Sequence, residues 1–109
     1  MARNPASLYS IASLPTTKTE LISAETATKR IIRKATFTNN SGGTLTVNLY
    51  MDPTGAAEVQ IVDTKALIDT ESWDVPNIEG HVLEAAGTID GNASGAGVDL
   101  VISGVKVTG

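Results

Sequence analysis

Apolar and polar side chains alternate through residues 44–51: Leu45, Val47, Leu49 and Met51 share one parity, and Thr44, Thr46, Asn48 and Tyr50 the other. Successive strand side chains point to opposite faces, so this period of two predicts a strand with one face in a core and one in water. Upstream, Ile31, Ala35 and Phe37 share a parity that Arg33 interrupts, which places that end of the strand at an edge or outside the core. Between the runs, Asn39-Asn40-Ser41-Gly42-Gly43 supplies residues that take positive φ at low cost, and the expected connection is a hairpin.

Asp52-Pro53-Thr54-Gly55 has Asp, Pro and Gly where a four-residue turn uses them, and a new strand is expected over 58–63. Residues 65–69 read as a short strand or a connection, and 71–75 as a strand with Trp73 and Val75 on one face, ended by Pro76. Another strand begins at Thr88. In 98–107, Val98, Leu100 and Ile102 point inward, then past Gly104 the apolar parity passes to Val105 and Val107, as at a bulge or a strand end. Near the start, 8–11 and 19–23 read as short strands around Pro15, and the extreme N-terminus is too poor in apolar residues to pack itself.

No segment sustains a helical period, and the alanine-rich patches are too short for more than one helical turn. The pattern predicts an all-β chain: an antiparallel β-sandwich, jelly-roll or immunoglobulin-like, of seven to nine short strands. Residues 1–17 are expected to form a flexible arm with a first short strand, and 18–109 the sandwich. At 109 residues a single domain can bury a core without staples, and the chain has no cysteine for disulfides or thiolate metal sites.

Twelve acidic and eight basic residues give a formal charge of -4, the wrong sign for neutralising nucleic-acid phosphates. The cations bunch in Lys29-Arg30-Ile31-Ile32-Arg33-Lys34, read as a solvated or partner-facing stripe. No apolar run is long enough to cross a bilayer or to make a signal-peptide core, so a soluble chain made without export is expected.

Candidate chemistry is sparse. His81 is the only histidine and no Gly-x-Ser-x-Gly elbow is present, so no catalytic residue is assigned. Asp90-Gly91-Asn92-Ala93-Ser94-Gly95 matches the first half of a calcium loop, but its twelfth position is Val101 where a bidentate Glu is needed; it reads as a hairpin turn. No metal or other cofactor is expected. The sequons at Asn39 and Asn92 also read as turns. Of the four aromatics, Phe37 and Trp73 are expected in the core, whereas Tyr50 falls on the polar face of its strand, where an exposed ring suits an interface anchor.

Several motifs occur in a distinctive order: Leu8-Tyr9-Ser10, a threonine-rich segment, the run from Lys29 to Asn40, a Ser/Gly turn, Thr44-Leu45-Thr46-Val47-Asn48-Leu49-Tyr50-Met51, Pro53, and the closing Val101-Ile102-Ser103-Gly104-Val105. Together they resemble the small virion proteins of tailed bacteriophages, with Thr88 standing where an acidic residue is common in that family. The resemblance implies a non-enzymatic structural component of the particle, present in many copies, that decorates the capsid or belongs to the neck or tail. Its partners would be other virion proteins, a major capsid protein or neck and tail components, with homo-oligomerisation and no nucleic-acid or membrane contact. It would be made in the host bacterial cytoplasm and reside in the virion. The interface candidates are Arg3, Tyr9, Arg33 and Tyr50. A carbohydrate-binding or adhesive sandwich is the alternative, because fold alone does not separate the two. A small enzyme is the third and weakest reading.

Overall fold

Two antiparallel sheets face each other in the computed structural model, which describes residues 2–11, 13–76 and 78–108, with side chains from Ser10 onward. The strands are β1 (Ala2–Ile11), β2 (Thr19–Ile22), β3 (Thr28–Asn39), β4 (Leu45–Asp52), β5 (Val59–Leu67), β6 (Ser72–Asp74), β7 (Val82–Leu83), β8 (Thr88–Ala93) and β9 (Val98–Thr108). Sheet A has the order β1-β9-β3-β6, with β7 also paired to β3, and sheet B the order β2-β8-β4-β5. The pairing is nested: β1 with β9, β2 with β8, β3 with β6 and β7, and β4 with β5. One long antiparallel ribbon rolled into two layers produces this order, which is the jelly-roll form of the β-sandwich.

The core lies between the layers, where Phe37, Val47, Leu49, Ile89, Leu100 and Ile102 are fully shielded from solvent. As the alternation in 44–51 requires, Val47, Leu49 and Met51 face inward while Thr46, Asn48 and Tyr50 lie on the outer side. Where the ladders slip, the inward face is not the one that parity alone suggests. The β3–β9 register shifts between Ile32 and Lys34, so Arg33 is an extra residue. The inward set of β3 is therefore Arg30 and Ile32 below the bulge and Ala35 and Phe37 above it, and Ile31 faces outward. No parity change occurs in β9. Val98, Leu100, Ile102 and Gly104 all stay buried, and the slips at Arg33 and, on β1, between Ser7 and Tyr9 belong to its partners.

The segment expected as a hairpin is a corner between sheets. β3 pairs in sheet A and β4 in sheet B, so the chain crosses the core at 40–44 rather than folding back on its neighbour. Asn39 makes the crossing possible. Fully buried, it donates from Nδ2 to the Gly43 and Leu67 carbonyls at 2.8 Å each and accepts from the Ser41 amide through Oδ1 at 2.9 Å. The β8–β9 corner packs against it: Asn40 N–H donates to the Gly97 carbonyl, and Gly97 has φ +110 with room for no side chain, since a Cβ there would meet Ser41 Cα at 2.8 Å. Residues 90–93, expected as a turn, belong to β8, and the connection begins only at Ser94.

The opposite end is closed by Arg30, which is 1% exposed. Its guanidinium donates to the carbonyls of Ser23, Glu84 and Gly87, tying the β2–β3 and β7–β8 connections together, while its Nε has no partner among the described residues. Burial lowers its pKa from the ordinary arginine value, with Glu25 opposing the shift. One member of the basic run is thus an internal strut. The expected strand at 8–11 also extends further, to Ala2, because the β9 edge pairs with it from Ala2↔Thr108 to Ile11↔Leu100, with one slip between Ser7 and Tyr9.

Asn39→Ala removes three hydrogen bonds to main-chain groups, the one to the Leu67 carbonyl fully buried, and should lower the unfolding free energy by about 2–3 kcal/mol in a urea titration. Thr44→Ala, at an exposed position of the same connection, should change it by less than about 0.5 kcal/mol. Gly97→Ala should cost about 1–3 kcal/mol through its strained φ and the Ser41 contact, read as a drop in Tm.

Candidate interface surfaces

The outer face of sheet B is a continuous polar surface built on β2, β8, β4 and β5. Asn48 Oδ1 accepts from the Thr64 amide at 2.8 Å and from Gln60 Nε2 at 3.1 Å, which binds β4 to the irregular middle of β5. Thr64 is held at φ +50 there, and the β4–β5 register shifts on both sides of Leu49. Asn48 stands opposite Asn92 across the β4–β8 ladder. The display of Thr and Asn on good strand sequence is thus a network that locks neighbouring strands and keeps apolar groups off the face.

Tyr50 lies half-buried at the centre of this face. The Lys18 ammonium, from the β1–β2 connection, sits 4.4 Å from its ring centroid and pairs with Glu58. A cation over an aromatic face gains from the ring quadrupole, and here it straps the connection across three strands. The Glu58 hydrogen bond raises the Lys18 pKa against an opposing desolvation. Beneath the strap, Asp90 is paired opposite both Tyr50 and Glu20. Its pKa is raised, first by desolvation and then by Glu58, with Lys18 opposing and with Glu20 and Asp52 adding to the rise. Glu20, Asp52, Glu58, Asp63 and Asp90 together oppose one ammonium. This face therefore carries four net negative charges, equal to the formal charge of the entire chain.

The outer face of sheet A differs. Its upper part is polar, with Thr36 donating to Asp74 at 2.7 Å and Thr38 bonded to Ser72 at 3.0 Å. Toward the Arg30 end, Ile31 stands between Val82 and Val105 on the two flanking strands, and Val101 is also exposed on this side. Lys29, Arg33 and Lys34 surround these apolar groups. Lys29 pairs with Glu84 at 3.6 Å and Lys34 with Asp74 at 3.4 Å, whereas Arg33 has no ion-pair partner among the described residues.

The four interface candidates do not converge. Arg33 is exposed on sheet A and Tyr50 lies on sheet B, the opposite layer. The side chains of Arg3 and Tyr9 fall outside the described ones, and only their backbone positions in β1, opposite Val107 and Ile102, are known. Lys18, Glu20, Glu58 and Asp90 escaped the sequence reading because they come from three separate segments. Phe37 is buried as expected, but Trp73 is half-buried, stacked on Phe37 at 6.3 Å and capped by Lys65 at 5.2 Å.

Among the described residues catalytic groups do not gather either. His81 is exposed beside a shallow groove lined by Met51, Pro53, Val59, Gln60 and Ile61. Among the described residues no three His, Asp, Glu or Cys side chains are placed to hold a metal ion.

No protein-family model matches the chain, and no curated protein matches it in sequence. Similarity is found among solved structures. A chain of the T13 particle of infectious bursal disease virus aligns over 99% of this chain with TM-score 0.58 and 10% identity. A chain of the infectious bursal disease virus Gx strain aligns over 99% with TM-score 0.62 and 12% identity. This chain spans about a third of the length of each, 31% and 33%. At such identities the likeness is one of fold.

Because the folded state raises the Asp90 pKa, ionised Asp90 opposes folding at pH values above that raised pKa. The penalty disappears as pH falls through it towards the unfolded value. Asp90→Asn should therefore stabilise the protein at neutral pH, by less than about 1 kcal/mol for a partly solvated group, and match the parent below pH about 3. Chemical denaturation at the two pH values checks both halves.

Proposed function

We propose that this protein is a non-enzymatic structural subunit of a virus particle, assembling in many copies through protein–protein contacts. The observation that carries the reading is the jelly-roll topology, which aligns over nearly the whole chain with chains of viral particles. Two broad outer sheet faces and the lack of converging catalytic groups among the described residues support a role exercised by surfaces. The motif resemblance to small tailed-phage virion proteins narrows this to capsid decoration, or else a neck or tail accessory. Other virion proteins are then its partners, the virion its location, and the host bacterial cytoplasm its site of synthesis.

Sugar binding is less well supported, although jelly rolls also occur in lectins. An aromatic platform needs open rings, yet Tyr50 lies under Lys18 and Trp73 is stacked between Phe37 and Lys65. Electron microscopy of purified particles, with the protein labelled at its C-terminus, should show density at regularly repeated sites. Particles with no label, together with glycan-dependent quenching of Trp73 fluorescence, would favour the lectin reading instead.

A further inference from the structure

We propose that copies of this chain associate head to tail, the acidic outer face of sheet B in one copy docking on the outer face of sheet A in the next, around Ile31, Val105 and Arg33. The inference rests on the reading of the protein as an assembling subunit and names the partner of that assembly: a second copy.

Charge complementarity decides the pairing. Two sheet B faces brought together would oppose four net negative charges to four, and two sheet A faces would set Arg33, which has no ion-pair partner among the described residues, against its own counterpart, because Lys29 and Lys34 are already paired with Glu84 and Asp74. Like charges across an interface cost free energy and suppress that contact. Face A, where Asp74, Glu84 and Asp99 balance Lys29, Arg33 and Lys34, brings no like net charge against face B, and face B offers Arg33 the carboxylates that it lacks among the described residues. The apolar trio of Ile31, Val82 and Val105 supplies a patch that water can leave, with Tyr50 as the aromatic group on the facing surface. Because the two surfaces differ, the contact is heterologous; it closes into a ring or continues as a filament according to the rotation between copies.

Sedimentation of the full chain tests this. The parent should grow in mass with concentration at low salt and return to monomer in about 1 M salt, where screening acts within about 3 Å. Arg33→Glu alone, and Glu20→Lys with Asp63→Lys, alter exposed side chains on opposite faces, and each variant should associate at least about tenfold more weakly. An equimolar mixture of the two should recover association, since each reversed face then meets its complement in the other variant. A parent that stays monomeric at low salt, association that salt does not weaken, or a mixture no better than its components overturns the contact. None of those results touches the particle reading, which stands or falls on the microscopy.

Discussion

A sandwich must pass its chain from one sheet to the other at both ends, and every crossing strips main-chain groups of their ladder partners. Strand β3 meets this constraint at both of its ends with buried polar side chains. Asn39 substitutes for lost ladder bonds at the upper corner, and Arg30 gathers the carbonyls of two connections at the lower one. Unpaired buried backbone groups cost more than most packing contacts return, so the jelly-roll connectivity depends on these two residues as much as on its apolar core.

Between those struts the bulge at Arg33 sets the phase. Without the extra residue, a strand that buries Arg30 and Ile32 would bury Lys34 and expose Ala35 and Phe37. With it, one strand presents inward residues along its whole length, and the displaced Arg33 side chain emerges into solvent. The bulge thus completes the core and places the Arg33 guanidinium, which has no ion-pair partner among the described residues, on the outer face of sheet A. Structure and surface chemistry share one local irregularity.

The two outer faces differ in chemistry. Sheet B concentrates the net charge of the chain on an ordered hydrogen-bonded lattice, and sheet A sets apolar side chains among cations. The strap of Lys18 over Tyr50 holds the β1–β2 connection against the sheet B face.

Local chemistry was enough to determine that the chain is all-β, that Val47, Leu49 and Met51 face a core, and that Asp52 starts a turn, where its carboxylate indeed accepts from the Gly55 amide at 2.7 Å. A period of two reports which way a side chain points but carries no information about which strand lies beside it. Tertiary structure alone therefore decided that residues 40–44 cross between sheets, that Arg30 is internal, that the bulge belongs to β3 rather than β9, and that Asp90 to Ala93 extend β8. The same holds for the acidic face. Lys18, Glu58 and Asp90 are far apart in the chain and become neighbours only because the nested ribbon stacks β2, β8, β4 and β5 side by side.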